Sequence, residues 1–319
     1  MFTDSGRTLI ILNPHAGSGR AGKVWGQIEP LLWKELGELT IAVTQRPQDV
    51  AEHLDKARAA GLTRVIAIGG DGTNHALINE LVRLNNQDPD GPKMTFGNLP
   101  VGTGRDWARA LGIPFSPVDA VKWIKSAHPT PLDVGRLRMI DAEGANAGQP
   151  KENYFLNIGS VGISGMISQQ VNRLALRRPW TFYKASVESL LRYRPPKMII
   201  KLDGKVWYEG RTYIVAVANG RLFGRGMLIA PEAKYDDGLF DVILVEGMPR
   251  LEAIRAMNTI YTGDHLKRKD VHSARAKSVE IQSDTLPIGF ELDGESGSSG
   301  TLTFDILPQA LSVMASMRA

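Results

Sequence analysis

Short apolar runs alternate with amphipathic stretches over positions 9–125. Each apolar run is hydrophobic on both sides, and each amphipathic stretch repeats its apolar residues every three or four positions. Doubly buried strands that alternate with helices are typical of a parallel sheet flanked by helices. The expected strands are 9–12, 39–43, 64–68 and 96–99, and the expected helices are 22–36, 49–59, 74–84, 106–111 and 118–125. The pattern predicts an α/β amino-terminal domain.

The pattern changes after about Asp133, where short strand-like segments follow one another and two helical stretches interrupt them. Such a series predicts a mainly β sandwich. The expected strands are 133–139, 154–158, 198–202, 213–218, 239–245, 278–282, 288–292 and 301–304, the expected helices 165–191 and 250–261, and a Ser/Gly turn 295–300. We therefore expect domains at 1–132 and 133–319, with the last segment free to return to the first domain.

The composition narrows the class of protein. The 319-residue chain carries 38 basic and 34 acidic side chains, a net charge of +4 that is weak for a nucleic-acid-binding protein. It has no cysteine, which excludes disulfides, cysteine nucleophiles and thiolate zinc sites. No apolar run approaches the ~18–20 residues of a membrane-spanning helix, and no secretory signal is visible. A cytoplasmic location is expected, with no nucleic-acid partner.

Three polar loops rich in glycine each follow a predicted strand and precede a predicted helix, at 13–20, 69–73 and 100–106. The carboxyl ends of parallel strands share one edge of a sheet, so these loops should converge there. Bare backbone N–H groups and helix starts suit phosphate binding. Neither the G-x-G-x-x-G nor the Walker pattern occurs, so a Rossmann dinucleotide site and a Walker NTPase are not supported. Each loop alone could instead be a tight turn.

Asp71, within Gly69-Gly-Asp-Gly-Thr73, is the unusual member of these loops. A carboxylate beside phosphate is repulsive unless a divalent cation lies between them. The sequence therefore points to a nucleotide phosphate site that also holds a cation.

Several motifs together resemble the diacylglycerol kinase catalytic superfamily, in particular its bacterial soluble lipid kinases. They are Asn13-Pro14…Gly17, Gly69–Thr73, Gly102-Thr-Gly-Arg-Asp106-Trp-Ala-Arg109 and Asp293-Gly-Glu295. The segments 157–162, 216–220 and 236–241 extend the resemblance to nearly the whole chain. The chain departs from the family pattern at Arg105, where Asn is usual, and at Trp107, where Phe is common.

The resemblance implies ATP as phosphoryl donor, Mg²⁺, and an NAD kinase/diacylglycerol kinase-like fold. The residues that would contact the nucleotide are Asn13, Pro14, His15, Ala16, Gly17, Thr44, Gly69, Gly70, Asp71, Gly72, Thr73, Asn74 and Thr103. The carboxylates that would organise the catalytic Mg²⁺, partly through water, are Asp71, Asp106 and Asp133. Oxygen ligands suit Mg²⁺, and phosphoryl transfer depends on positioning and charge neutralisation. Asp133 could equally be a strand-start cap.

Asp293-Gly-Glu295 follows an apolar strand, and Asp-Gly is by itself a strong hairpin signal. The resemblance makes Glu295 the candidate general base on the acceptor hydroxyl, with Asp293 beside it and Asp71 as the third catalytic carboxylate. A carboxylate can accept that proton as the transition state forms. The choice between Glu295 and Asp293 stays open.

Lys234-Tyr-Asp-Asp-Gly-Leu239 resembles the family's second, structural Mg²⁺ site. The implied ligands are the Asp237 carboxylate and the backbone carbonyls of Lys234 and Leu239. The alternative is a type I′ Asp-Gly hairpin without metal.

Residues 173–197 carry seven basic side chains against one acidic side chain, mixed with aromatic residues. Cations with aromatic and apolar neighbours suit an anionic membrane surface. A solvated helix face with inward-packed aromatics is an equal alternative. Peripheral membrane association is thus the first interpretation.

The expected activity is an ATP-dependent lipid kinase that acts on a hydroxyl of diacylglycerol or a related lipid. The alternatives are an NAD kinase-like enzyme, which shares the Gly-Gly-Asp-Gly loop, and a non-catalytic lipid- or nucleotide-binding regulator, for which Arg105 is the hint. The identity of the lipid, the regulation and the oligomeric state, a homodimer included, stay open.

Overall fold

A computed structural model of the chain describes residues 7–91, 93–102, 104–141, 148–172 and 179–315. The chain divides into two compact units, one formed by Met1–Leu132 with Gln309–Ala319 and the other by Asp133–Pro308. Thr103 and residues 173–178, which carry some of the expected site and membrane-contact side chains, lie outside the described residues.

The first unit alternates strands and helices, as the hydrophobic pattern predicts. Its elements in chain order are β1 (Thr8–Leu12), α1 (Ala16–Leu36), β2 (Leu39–Val43), α2 (Asp49–Ala59), β3 (Arg64–Gly69), α3 (Asp71–Gln87), β4 (Thr95–Pro100), α4 (Asp106–Ala110) and α5 (Pro117–Ser126). The first residues of α1 are not helical, because Gly17, Ser18 and Gly19 all have positive φ.

The sheet of the first unit is parallel, with the strand order β2-β1-β3-β4. The carboxyl end of the final strand β15 (Thr301–Ala315) adds to β4 through Val313 opposite Phe96, again in parallel. β1 is buried along its whole length, and in β3 only the first residue is partly exposed. All carboxyl ends of these strands therefore face one edge, which carries the glycine loops.

The second unit is mainly β. Its strands before β15 are β5 (His128–Ile140), which begins in the first unit, β6 (Pro150–Phe155), β7 (Ile158–Gly162), β8 (Lys197–Leu202), β9 (Lys205–Ala218), β10 (Phe240–Glu246), β11 (Val271–Ala276), β12 (Ser278–Ser283), β13 (Ile288–Leu292) and β14 (Glu295–Ser299). Its helices are α6 (Ile163–Asn172), α7 (Pro179–Arg192) and α8 (Arg250–Met257), and two 3₁₀ turns follow at Asn258–Tyr261 and Asp264–Lys267.

The long strand β9 belongs to two antiparallel layers. Its first half pairs with β8, which continues to β12 and β15, and its second half pairs with β7 and β10. The space between the layers is filled by buried side chains, and the ring of Phe155 stacks on Phe240 at 5.8 Å and meets the edge of Phe304 at 6.0 Å. This is the sandwich that the short alternating strands predict.

Four details of the sequence prediction for the second unit are wrong. The expected strand 154–158 is two strands, β6 and β7, and the expected helix 165–191 is two helices, α6 and α7. The expected Ser/Gly turn 295–300 is largely the strand β14, and β11 was missed. Polar, exposed edge strands such as β14 lack the apolar alternation by which strands are recognised. No helix among the described residues is both long enough and apolar enough to cross a membrane.

Candidate active site

The three glycine loops of the first unit lie against one another at the carboxyl edge of its sheet. A β-carbon on Gly17 would come within 2.6 Å of the carbonyl oxygen of Val101, and one on Gly102 within 2.7 Å of the α-carbon of Gly70. Real β-carbons do not approach so closely, so side chains are excluded at both contacts. The close approach of backbone to backbone explains why these positions are glycine.

The loop after β3 is held by its neighbours' backbone. The N–H groups of Val101 and Gly102 both donate to the carbonyl oxygen of Gly69, at 3.3 and 3.2 Å. The Thr73 side chain lies over Gly69, and its hydroxyl accepts a hydrogen bond from Asn13 Nδ2 at 3.2 Å. Asn13 therefore joins the first loop to the Gly-Gly-Asp-Gly-Thr loop.

The loop after β1 turns back on itself before α1 becomes regular. The N–H of His15 donates to Asn13 Oδ1 at 3.1 Å, and the N–H of Gly22 donates to the carbonyl oxygen of Pro14 at 3.1 Å. Gly17 has a φ of 62°, which glycine adopts without steric cost. Ala16 lies within this turn, and its N–H donates to the Asn13 carbonyl oxygen at 3.1 Å.

Thr44 and Asn74 are buried polar residues of this edge, as is Thr73. The Thr44 N–H donates to the carbonyl oxygen of Leu12 at 2.9 Å, which places Thr44 beside the start of the first loop. The N–H of Asn74 donates to the Gly70 carbonyl oxygen at 3.1 Å in the first turn of α3, and Gly72 lies in the same turn. Every described residue of the predicted nucleotide set thus belongs to one of these converging loops or to the end of β2.

Asp71 occupies the centre of this arrangement. Its carboxylate lies against Gly104, where a β-carbon would overlap Asp71 Oδ2. Asp106 follows in the same loop, and its Oδ1 accepts a hydrogen bond from Arg109 Nη1 at 3.0 Å. The first unit therefore places the Asp71 carboxylate against the loop that carries Asp106.

Arginine side chains surround that loop. Arg105 has a left-handed backbone with φ 60°, and its Nε donates to the Gly102 carbonyl oxygen at 2.8 Å. The guanidinium groups of Arg105 and Arg109 each lie 5.2 Å from the ring centre of Phe115. The pKa of Arg105 is lowered by burial and by the positive charges of Arg20 and Arg109, while Asp71 acts in the opposite direction.

In the second unit, Asp293 and Gly294 form the two-residue turn between β13 and β14. Both have positive φ, 49° and 97°, and Leu292 pairs with Glu295 across the turn. The hairpin signal in the sequence is thus realised as a type I′ geometry.

The Asp293 carboxylate is occupied by backbone donors. The N–H groups of Leu156, Asn157 and Ile158 donate to it at 2.7, 3.0 and 2.9 Å. These residues form the break between β6 and β7. A carboxylate that accepts several charge-assisted hydrogen bonds is a structural clamp and a poor proton acceptor.

Glu295, by contrast, is exposed at the start of β14. The buried neighbour Glu291 accepts hydrogen bonds from the hydroxyl of Ser160 at 2.8 Å and from the N–H of Gly294. Both carboxylates that flank the turn, Glu291 and Asp293, therefore fix its backbone, which leaves Glu295 as the accessible carboxylate of the motif.

Asp133 is completely buried in the second unit, where its Oδ2 accepts a hydrogen bond from the N–H of Gly238 at 2.7 Å. Its own N–H donates to the Tyr235 carbonyl oxygen at 2.7 Å. Asp133 thus holds the loop that carries Lys234, Asp237 and Leu239. Asp71 and Asp106 belong to the first unit and Asp133 to the second.

Two asparagines connect the site segments of the second unit. Asn219 Nδ2 donates to the carbonyl oxygens of Asp133 and Leu156, at 2.9 and 2.7 Å. Asn157 Oδ1 accepts a hydrogen bond from the Tyr235 hydroxyl at 2.8 Å. Together with the Asp293 clamp, these bonds link Asp133, the 234–239 loop and the Asp-Gly-Glu turn.

In the predicted structural metal loop, both carboxylate oxygens of Asp237 have partners within the protein. Asp237 Oδ2 is paired with Arg275, and Oδ1 accepts a hydrogen bond from the Leu239 N–H at 3.1 Å. Only Gly238 has positive φ here, so the loop is not a type I′ hairpin. A cation at this position would have to displace the Arg275 guanidinium. No group of three or more His, Cys, Asp or Glu side chains within the described ranges is placed to hold a metal.

The predicted metal-organising carboxylates of the first unit include one arginine pair as well, between Asp106 and Arg109. Asp71 and Asp106 have carboxylate oxygens beside the glycine loops, and oxygen is the ligand type that Mg²⁺ prefers. Mg²⁺ normally completes its coordination shell with water and substrate phosphate. Fewer than three protein ligands suffice in such a site.

Sequence reasoning missed the residues that position the site. Asn157, Asn219 and Tyr235 act through tertiary hydrogen bonds, and Phe115 through ring contact with two arginines. The signals in the sequence were the segments 157–162 and 216–220, which resemble the superfamily, and the position of Asn219 directly after an expected strand.

Comparison with known proteins agrees with this arrangement. The model of the diacylglycerol kinase catalytic domain matches residues 7–137, and the model of the YegS C-terminal NAD kinase beta sandwich-like domain matches residues 157–315. The chain belongs to the diacylglycerol kinase superfamily. Its division into an α/β domain and a β sandwich confirms the predicted fold class.

Relatives within the superfamily are similar along nearly their whole length. A diacylglycerol kinase of Mycobacterium tuberculosis is 28% identical, covering 97% of this chain and 95% of the relative. One of Staphylococcus epidermidis is also 28% identical, with 96% and 91% covered.

Solved structures share the fold of this superfamily member. A crystal structure of a diacylglycerol kinase from Bacillus anthracis has a TM-score of 0.70 at 23% identity, covering 99% of this chain and 98% of the other. Yeast NADH kinase in complex with NADH has a TM-score of 0.51 at 8% identity, with 99% and 85% covered. Both likenesses concern the fold.

Proposed function

We propose that this chain is an ATP-dependent lipid kinase that transfers the γ-phosphoryl group of ATP to a hydroxyl of diacylglycerol or a related lipid. The observation that carries the proposal is the convergence of three glycine loops around Asp71 in a chain of this superfamily. Full-length relatives that are named diacylglycerol kinase support the choice of acceptor.

The nucleotide is assigned to residues 1–132 and the lipid to residues 133–319, of which Gln309–Ala319 belong structurally to the first unit. The loops 13–17 and 69–74 lie at the carboxyl edge of the parallel sheet and precede helices, a position that suits a polyphosphate. Thr44 and Thr103 complete the proposed nucleotide set.

Asp71 and Asp106 are the proposed metal-organising carboxylates of the first unit, and Asp133 that of the second. When bound, Mg²⁺ would neutralise charge on the phosphate oxygens. Because Asp71 and its glycine neighbours are packed tightly, its carboxylate is held in position before substrate arrives, which reduces the reorganisation that phosphoryl transfer requires.

Glu295 is the proposed general base. The acceptor oxygen forms a bond to the γ-phosphorus, the bond from that phosphorus to the β,γ-bridging oxygen breaks, and the hydroxyl proton passes to the Glu295 carboxylate. ADP and the phosphorylated lipid leave. Asp293 takes no proton in this scheme, since its oxygens accept hydrogen bonds from three backbone N–H groups and fix the turn that presents Glu295.

A structural Mg²⁺ at Asp237 would compete with Arg275, which pairs with that carboxylate. Metal binding there is compatible with the sequence motif only if the cation competes successfully with the guanidinium.

Peripheral contact with an anionic membrane is the proposed route to a lipid substrate. Leu191 is half-exposed near the end of α7, and Lys184, Arg192 and Arg194 are exposed around it. Charged and apolar side chains that share a surface favour an anionic bilayer. A double Arg192→Gln and Arg194→Gln variant should sediment less with phosphatidylglycerol vesicles, whereas Arg46→Gln, on the first unit, should not. Equal sedimentation of both variants would argue for a solvated face.

The proposed function is tested by incubating the purified chain with labelled ATP and separate acceptors, followed by mass spectrometry of the products. The acceptors are diacylglycerol, a fractionated lipid panel and NAD. Phosphatidic acid from diacylglycerol, or a phosphorylated lipid from the panel, is the expected result. Product from NAD alone would favour the NAD kinase-like alternative, and vesicle binding without turnover would favour a non-catalytic regulator.

A further inference from the structure

Two arginines, Arg105 and Arg109, contact the loop that carries Asp106, and the charge of a third, Arg20, acts on Arg105. Arg20 and Arg105 form no ion pair within the described ranges 7–91, 93–102 and 104–141. Arg109 has one ion pair, with Asp106, at 3.0 Å. The positive charge on this side of the loop therefore exceeds what its carboxylates balance.

The position of Arg105 is fixed by its backbone conformation and by two side-chain contacts. Its backbone is left-handed, its Nε donates to the Gly102 carbonyl oxygen at 2.8 Å, and its guanidinium lies over Phe115. A guanidinium has five N–H donors, so the bond to Gly102 leaves most of the planar fork unused. The fork is held in place and keeps its capacity to bind an anion.

The surroundings of Arg105 contain both a repulsive and an attractive charge. The positive charges of Arg20 and Arg109 are near enough to repel the Arg105 guanidinium, and the Asp71 carboxylate attracts it. Arg105 thus lies within electrostatic range of the Asp71 loop. Like charges that are held together beside glycine loops are relieved when an anion binds between them.

We propose that Arg105, supported by Arg109 and Phe115, binds a terminal phosphate group of the nucleotide. The inference rests on the proposed function, because it names a residue that would hold the substrate of that reaction. It also gives a role to the position at which this chain departs from the superfamily pattern. Asn at this position could donate from its amide but would carry no charge, so Arg105 provides a charge-assisted contact in its place.

The test compares Arg105→Asn with the wild-type chain in calorimetric titrations with a non-hydrolysable ATP analogue, AMP and inorganic tripolyphosphate. Asn tolerates the left-handed backbone, so the loop conformation is preserved. Binding of the ATP analogue and of tripolyphosphate should weaken by about 10- to 100-fold, while AMP binding changes little. The matched control is Arg46→Gln, an exposed arginine of the same unit that pairs with Asp49.

A second variant separates charge from structural support. Arg105→Lys retains the positive charge but not the planar fork, so it should recover part of the lost affinity for the ATP analogue. Thermal unfolding of both variants reports the contribution of the contacts to Gly102 and Phe115. Altered melting temperature with unchanged affinity for the ATP analogue and tripolyphosphate would assign Arg105 a structural role and overturn the proposal.

A phosphate group could also come from a lipid headgroup, and vesicle sedimentation distinguishes the two sources. If Arg105→Asn weakened sedimentation with phosphatidylglycerol vesicles but not binding of tripolyphosphate or the ATP analogue, the assignment to the nucleotide would be wrong. Failure of the proposed function would give a different result. The wild-type chain would then bind tripolyphosphate through Arg105 but would phosphorylate no lipid.

Discussion

The carboxylate of Asp293 accepts hydrogen bonds from the backbone of Asn157, at the break between two strands that lie far from it in sequence. Leu156 and Ile158, on either side, donate to the same carboxylate. The Asp-Gly-Glu turn and the β6–β7 connection are therefore one structural unit. The two acidic residues of this turn therefore differ in their surroundings, because the Asp293 carboxylate is hydrogen-bonded to the backbone and Glu295 is exposed.

Asp293→Asn should destabilise the chain. The variant loses the charge that three backbone N–H groups share, and one amide group cannot accept all of their hydrogen bonds. We expect a loss of about 1.5–3 kcal/mol in the free energy of unfolding, measured by urea denaturation. Glu232→Gln, at an exposed site of the same unit, is the control and should change stability little. Equal stability of the Asp293 variant and wild type would show that the backbone hydrogen bonds to Asp293 do not stabilise the fold.

Glu295→Gln should lower catalysis without affecting stability. Glu295 is exposed, so its substitution leaves no buried group unpaired. If it is the general base, kcat falls by about 10²–10⁴-fold while KM for ATP is little changed. Steady-state kinetics with diacylglycerol vesicles measure both parameters. An unchanged kcat would transfer the role of base to another residue.

Gly104→Ala should impair the site through Asp71. The added β-carbon would overlap Asp71 Oδ2, and the carboxylate must move to make room. A displacement of this size can lower the rate by about 10²-fold, which kcat measurements will detect. Gly26→Ala is the matched control, because a β-carbon there meets nothing within 4 Å and alanine favours the helix α1. Full activity of the Gly104 variant would show that the position of Asp71 is not critical.

His75 should make stability depend on pH. Burial lowers its pKa from the ordinary 6.5 to about 4, and its Nδ1 is buried without a partner among the described residues. The unfolded chain then binds the proton first as the pH falls. Stability is complete above pH 6.5 and declines by up to about 3 kcal/mol towards pH 4. In His75→Gln this part of the decline should be absent from urea denaturation series, and an identical pH profile would contradict the assignment.

Mg²⁺ that binds at Asp237 should stabilise the second unit. The prediction is that MgCl₂ raises the melting temperature of the wild-type chain and that EDTA reverses the change, because a ligand of the folded state stabilises it. Asp237→Asn should abolish the response, and Arg275→Ala should enlarge it by removing the competing guanidinium. A wild-type melting temperature that is insensitive to Mg²⁺, together with an insensitive Arg275 variant, would exclude a metal at this loop.

The sequence by itself determined the fold class and the order of the elements of the first unit, whose ends lie within three residues of those expected except at the start of α1. Two helices or strands there, 39–43 and 49–59, match the structure at both ends. Doubly buried strands and amphipathic helices have strong periodic signals. The three glycine loops could also be recognised in the sequence. Glycine is required where two backbones approach closely, as at the contact of Gly102 with Gly70.

Only the tertiary structure decided what the carboxylates and asparagines do. The sequence places Asp293 and Asp237 in turns and Asp133 at the start of a strand, but their partners are backbone N–H groups or an arginine distant in the chain. The separation of 154–158 into two strands has the same cause, since the break exists where Asp293 takes up the N–H groups. Hydrogen bonds between residues distant in the chain leave no periodic trace in it, so they appear only when the fold brings their donors and acceptors together.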